Sequence, residues 1–320
     1  MNSGDKFLTP ILFLIFNRPE HTKKIFLIIK EIKPAYLFIA ADGPRDGVDG
    51  EKLLCNQARS IINKIDWNCE VKSLLREKNL GCRYAISTAI DWFFEQVEEG
   101  IILEDDCLPD PTFFTFCEAM LSKYRVDEEI FMIHGNNYQR KQAKTEESYY
   151  FSKIPHVWGW ATWKRAWMYY DHDMISFLDF LESGDYKTVY KEPFIRTYYL
   201  NCFFSIFEKK VDTWDYTWVF TIARNNGLVI CPHHNLIRNI GFDVGTHVTE
   251  GQSSTENNNV YSISTIIHPA VKRWNKKLDE QIYKNIFNVY GDGFLAIFGK
   301  LRKIIKLQIK IRRLLHVKKD

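Results

Sequence analysis

Residues 101–106 read Ile101-Ile102-Leu103-Glu104-Asp105-Asp106. Three apolar residues run without interruption into three acids. A short apolar run with no polar alternation is a strand covered on both faces, the kind found in parallel sheets layered between helices. The sequence around it repeats the pattern. Residues 84–97 predict a long helix, 69–75 a strand, and 51–65 a helix with Leu53, Leu54, Ala58, Ile61 and Ile62 on one face. Residues 36–41 predict a strand. Residues 22–33 carry apolar side chains at 25, 26, 28, 29 and 32, helical spacing that Pro34 stops. Residues 11–16 predict the first strand. Strand and helix alternate about four times in roughly 100 residues, which argues a doubly wound α/β fold with a mostly parallel, Rossmann-like sheet. Further on, 113–124 predict a helix, 130–134 a strand and 268–290 a helical segment. Residues 252–259 are polar and read as a mobile loop. No internal repeat is visible.

The chain has 320 residues, 46% hydrophobic and 26% charged, close to the composition of soluble globular proteins. Intrinsic disorder and collagen-like structure are excluded for its bulk. Aromatics reach 15%, which suits either a large core or a site that stacks on flat ligands. The net charge of +3 is uneven. Residues 300–320 hold nine Lys or Arg and one Asp, whereas residues 1–299 hold 34 Lys or Arg against 39 Asp or Glu. An acidic body excludes a broad nucleic-acid-binding face. The seven cysteines are odd in number and form no Cys-x-x-Cys pair, so reduced thiols in a cytoplasmic protein are expected. The first residues lack the basic start of a signal peptide, and no run is long enough to span a membrane.

Ligands of open α/β sheets bind beyond the carboxyl ends of the strands. Three predicted strands end in distinctive residues there: Asn17-Arg18 after Phe16, Asp42-Gly43, and Glu104-Asp105-Asp106. In an extended segment Glu104 and Asp106 would share one side and Asp105 the other. Same-side carboxylates repel unless a cation or donor lies between them, and a hard divalent ion with phosphate co-ligands meets that need. A solvated acidic turn is the alternative. Arg18 and Arg83 are candidate phosphate contacts through their guanidinium forks. Arg83 opens a helix whose free N–H groups would also suit an anion. Asp42 could accept from a ribose or base, or cap its own turn. Trp160, beside Gly159, is a candidate sugar platform, while Trp163 and Trp167 read as core. Asp215 lies among Trp214, Tyr216 and Trp218, surroundings that suit a general base or a structural carboxylate. His247 could join a metal site when a loop closes.

In this order the motifs resemble the bacterial GT-A-fold glycosyltransferases of the family-2-like nucleotide-diphospho-sugar transferase group. They are distantly similar to the eukaryotic inverting N-acetylglucosaminyltransferase of complex N-glycan branching. The matching pieces are Ile15-Phe16-Asn17-Arg18-Pro19, Ala41-Asp42-Gly43, Asn79-Leu80-Gly81 and Ile102-Leu103-Glu104-Asp105-Asp106 with Pro109 to Phe114. Trp158-Gly159-Trp160, Trp214-Asp215, and Asn239 to Phe242 with Thr246-His247 follow. The resemblance covers residues 9–250. It implies a nucleoside-diphosphate sugar donor, most often UDP-linked, with Mn²⁺ or Mg²⁺ bridging the phosphates. It implies Asp106 as metal ligand, Asp105 facing the ribose, Glu104 facing the donor sugar, Arg18 and Asp42 at the nucleotide, and Asp215 as base. The family member compared has paired acids where this chain has Asp215-Tyr216. The expected layout is a glycosyltransferase unit at 1–250 (nucleotide-binding half about 1–125, acceptor half about 126–250), a linker with a helical segment at 251–293, and a tail at 294–320.

The tail alternates apolar side chains with Lys and Arg, as a basic amphipathic helix on an anionic membrane surface would. Packing of that helix on the acidic body is the alternative. The expectation is therefore a transferase peripheral to the inner face of the cytoplasmic membrane, moving a sugar to a glycan or lipid-linked acceptor with inversion, in surface polysaccharide or lipopolysaccharide synthesis. A sugar nucleotidyltransferase is the second enzyme reading, although Phe16-Asn17-Arg18-Pro19 is no glycine-rich phosphate loop. A non-catalytic carbohydrate- or nucleotide-sugar-binding protein is the third.

Overall fold

The computed structural model describes residues 6–139, 145–241, 259–290, 305–311 and 314. Its centre is a sheet of eight strands. β1 (Ile11–Ile15) is buried along its whole length. α1 (Pro19–Ile32) follows, with Pro in its first turn, where a missing N–H costs nothing. β2 (Tyr36–Ala41), α2 (Glu51–Arg59), β3 (Glu70–Leu75) and α3 (Gly81–Phe94) complete the first alternation, and β4 (Glu99–Glu104) carries the deciding run. β5 (Cys107–Pro109), α4 (Thr112–Lys123), β6 (Ile130–His134), β7 (Tyr149–Ser152) and β8 (Trp160–Trp163) come next. The helices α5 (Lys164–Trp167), α6 (Phe177–Ser183), α7 (Tyr186–Val189), α8 (Pro193–Phe207) and α9 (Asp215–Arg224) precede β9 (Leu228–Pro232), β10 (Ile237–Asn239) and α10 (Lys276–Asn285).

The strand order is β3-β2-β1-β4-β8-β6-β9-β7. β1 to β4 are mutually parallel. β8 runs against both β4 and β6, β9 is parallel to β6, and β7 is antiparallel to β9. The sheet is therefore mostly parallel, as expected, but two reversed strands enter its second half. They stand in the aromatic stretch whose short strands carry no period long enough to read. β5 and β10 form a separate antiparallel pair.

Each sheet face has its own core. On one, α1 and α4 pack Ile25, Ile29, Phe113 and Phe116 against β1, β2 and β4. On the other, α3 and α9 meet Leu12, Leu14, Ile102, Met132 and Trp160. A third cluster joins α6, α8, α9 and α10 around Phe177, Phe203 and Phe220.

Of residues 268–290, only Lys276–Asn285 is α-helical. The loop at 252–258 lies outside the described residues. So does most of the tail, but residues 305–311 are helical. There Leu307 and Ile311 are buried in the third cluster. Lys310 pairs with Glu208 at 2.6 Å and sits 4.1 Å over the Phe204 ring. This part packs on the body, the alternative left open by the sequence. No helix among the described residues is long and apolar enough to cross a membrane. The seven cysteines are all free.

Candidate functional site

β1 and β4 are neighbours with Leu14 opposite Glu104, so the residues following each strand meet at one end of the sheet. The chain turns at Asp105 and Asp106 before re-entering an extended path as β5. That turn overrides the alternation expected of a straight strand. Asp105 and Asp106 both face Arg18, whose Nη1 lies 3.7 Å from Asp105 Oδ1 and 2.9 Å from Asp106 Oδ2. The Phe16 N–H donates to Asp105 Oδ2 at 3.2 Å. Glu104 and Asp105 crowd the same charge. Burial, and then the negative charges of Asp106, Asp105 and Asp215, raise the proton affinity of Glu104 well above that of an ordinary carboxylate. Burial and Asp106 push Asp105 up to about 7, against the pull of Arg18.

Asp106 is enclosed from the far side by β10. Its carbonyl accepts from the Ile240 N–H at 2.8 Å. A Cβ on Gly241 would stand 2.5 Å from Asp106 Oδ2, so only glycine lets the backbone approach the carboxylate this closely.

Asp215 opens α9. It is near enough for its charge to act on Glu104. Thr213 Oγ1 and the Tyr216 N–H both donate to Asp215 Oδ1, so the second oxygen keeps its lone pairs. The start of α9 is held by Trp214, which is buried, stacks on Trp160 at 5.6 Å, and accepts through its carbonyl from the Tyr170 hydroxyl.

A polar cluster sits beside β1. Glu51, only 2% exposed, accepts from Asn17 Nδ2 at 2.8 Å and from the Arg45 guanidinium and N–H. Arg45 in turn lies over the Phe16 ring. Phe16, Asn17 and Arg45 are thereby fixed around one buried carboxylate. Glu51 escaped sequence reading because an acid in the first turn of a helix is common. The signal that could have found it is a carboxylate on the side of the predicted helix facing Asn17.

Other expectations change. Trp160 has no exposed surface and sits within Trp167, Trp214 and Trp218. It is a core residue and offers no platform to a sugar, because strand β8 points it into the layer beneath α9. Arg83 is buried, and its guanidinium donates to the carbonyl of His172, so it braces the fold instead of facing an anion. The N-terminal turn of α3 is served by Asp212, which accepts from the Cys82 and Arg83 N–H groups at 3.0 and 3.3 Å. Asp42 accepts from the Gly43 and Leu80 N–H groups and caps its turn. Burial raises its proton affinity above the ordinary carboxylate value. His247 lies outside the described residues, as does Phe242.

Among the described residues no group of three or more His, Cys, Asp or Glu side chains converges as a ready metal cage. The donor set does suit a Mg²⁺- or Mn²⁺-type ion, which binds through one or two carboxylates and completes its shell with water and substrate phosphate. Asp106, the carboxylate paired with Arg18, would supply the hard oxygen.

No protein-family model matches the chain, and no curated protein matches it. Among solved structures, the chain is similar to HddC from Yersinia pseudotuberculosis, with a TM-score of 0.31 and 10% identity over 49% of this chain and 78% of that one. It is similar to the inositol-1-phosphate CTP transferase from T. maritima, with a TM-score of 0.30 and 10% identity over 50% and 73%. It is also similar to a UDP-glucose pyrophosphorylase complexed with UDP-glucose, with a TM-score of 0.29 and 11% identity over 50% and 78%.

Proposed function

We propose that this chain transfers a sugar from a nucleoside-diphosphate donor, most simply a UDP-sugar, to a hydroxyl of a glycan or lipid-linked acceptor, with inversion. The observation carrying this reading is the meeting of Asp105 and Asp106 with Arg18 at the carboxyl ends of β1 and β4, with Asp215 close enough for its charge to act on Glu104. An anionic diphosphate needs positive charge, and a carboxylate cluster excludes it unless a cation intervenes. A divalent ion on Asp106 would neutralise the leaving diphosphate.

The chain's own residues do the rest. Phe16, Asn17 and Arg45, fixed by Glu51, hold the nucleoside end. Arg18, now paired with Asp106, would contact the phosphates. Asp215 accepts the proton of the acceptor hydroxyl as that oxygen bonds the anomeric carbon, and the bond from that carbon to the diphosphate breaks with its electron pair. Glu104 would face the donor sugar.

The test is a donor screen on the purified chain with and without Mn²⁺. Asp106→Ala is expected to abolish metal-dependent donor binding. Asp215→Asn is expected to keep donor binding and to lose transfer by about 100-fold or more. Full transfer in Asp215→Asn overturns the base, and no binding of any nucleotide sugar overturns the function. A sugar nucleotidyltransferase is the second enzyme reading. It would release pyrophosphate from a nucleoside triphosphate and a sugar phosphate, which a pyrophosphate-release assay with those substrates scores. For the tail, exposed Ile305 and Ile309 beside Lys306 support contact with anionic lipid, checked by co-sedimentation with phosphatidylserine vesicles.

A further inference from the structure

The loop after β2 carries a guanidinium that is firmly aimed and only partly used. β1 lies between β2 and β4, with Ile15 opposite Ala41 and Leu14 opposite Glu104. With strands about 4.8 Å apart, the end of β2 stands about 10 Å across the sheet from β4 and its acid turn. A diphosphate held through a cation at Asp106 would set its ribose over the end of β1. The edge of the base away from the ribose would then point toward the loop after β2, where Arg45 stands.

Glu51 sets the direction of Arg45. Its carboxylate, only 2% exposed, accepts from the Arg45 Nε at 3.0 Å, from Nη2, and from the Arg45 N–H at 2.6 Å. It also accepts from Asn17 Nδ2 at 2.8 Å. The hydrogen bond from Arg45 holds the Glu51 carboxyl below the ordinary carboxylate range, so the acid is charged. A guanidinium has five N–H donors. Nε and one Nη2 hydrogen are taken by Glu51. The two Nη1 hydrogens and the outer Nη2 hydrogen form a second fork with no partner among the described residues. The Arg45 side chain is 56% exposed, so that fork is open to a ligand. Its carbon lies 5.9 Å from the ring centre of Phe16, which is half-buried. A flat apolar ring and a row of donors thus stand together at the carboxyl ends of β1 and β2, where ligands of such sheets bind.

The pairing with Glu51 also decides what the fork suits. Arg45 and Glu51 cancel in charge, so the free edge offers directed donors and little net attraction for an anion. A surface ion pair does not require burial of its acid, which is costly. Here the buried acid fixes the angle of the exposed fork. A guanidinium only donates, so the fork matches an oxo oxygen and opposes an amino group. Uracil and guanine carry an oxo group at the edge away from the ribose, whereas cytosine and adenine carry an amino group there. We infer that Arg45, positioned by Glu51, selects an oxo-bearing base, uracil or guanine, over cytosine and adenine. The inference rests on the reading that this sheet end binds a nucleoside diphosphate, and it narrows that reading.

The experiment measures the affinities of UDP, GDP, CDP and ADP for the full chain with Mn²⁺ by titration calorimetry. The variants are Arg45→Met, which keeps the stem and removes every donor, and Arg45→Lys, which keeps the Glu51 charge paired but has no fork. In the unmodified chain UDP is expected to bind about tenfold or more tighter than CDP, or GDP than ADP. In both variants that ratio is expected to fall to near one, through loss on the oxo base. Glu51→Gln is expected to narrow the ratio in the same direction, whereas a purely structural acid would lower the melting temperature and leave the ratio alone. If Arg45→Met fails to fold, Arg45→Lys decides. Equal binding within each pair, or preference for the amino base, overturns the inference and leaves the nucleotide reading standing. So does an oxo preference that survives in the Arg45 variants. If none of the four binds the unmodified chain, the nucleotide reading falls and the inference with it.

Discussion

Gly81 shows how one residue sets the geometry of two segments. Its φ is +77°, and a Cβ there would lie 2.6 Å from Asp212 Oδ2. Gly81→Ala would impose left-handed strain and push Asp212 off the first turn of α3. A loss of about 1–3 kcal/mol is expected, read from urea unfolding, and an unchanged midpoint would contradict the arrangement. At this scale the sequence is informative about residue type and poor about partners. Glu104, Asp105 and Asp106 were visible because a buried strand delivers them to a sheet end. Their sharing of Arg18 was hidden, because it depends on a turn starting at Asp105, and an alternation argument assumes no turn. Trp160 was misjudged for a related reason: a glycine neighbour suggests access, but β8 buries the indole.

The elements of the first half were legible because their periods are long and their cores two-sided. β2 and β6 fall on the expected residues. α2 ends at Arg59 and continues as a tighter turn through Lys64, where the apolar spacing alone suggested one helix to 65. β7, β8 and β9 are four or five residues long, and strands that short in an aromatic-rich stretch leave no period to detect. The tail carries a prediction at this scale. Leu307 and Ile311 are each 6% exposed, and trimming both to Ala should cost about 2–5 kcal/mol, the range for one large-to-small core change, since neither site is central. A thermal melt checks this; no change would mean that the segment does not hold α8.

Over the whole molecule, Asp91 of α3 ties three regions together. Its carboxylate accepts from Trp167 Nε1 at 2.8 Å and pairs with His172 Nε2 at 2.9 Å. The hydrogen bond and charge of Asp91 raise the proton affinity of His172 above the ordinary imidazole. Stability from this pair is therefore complete below the unfolded imidazole pKa of about 6.5 and is lost as pH rises through the higher folded value. Melting temperature should fall across that window, and His172→Gln should flatten the slope; an equal slope in the variant would assign it elsewhere. The same region holds Trp160, Trp167, Trp214 and Trp218 with ring centres 5.0 to 6.5 Å apart. Four indoles at that spacing share their excited states. Their coupled near-ultraviolet dichroism and their emission report the seating of α9, and with it the residue at its head, so the protein carries its own optical gauge for whether the base is in place.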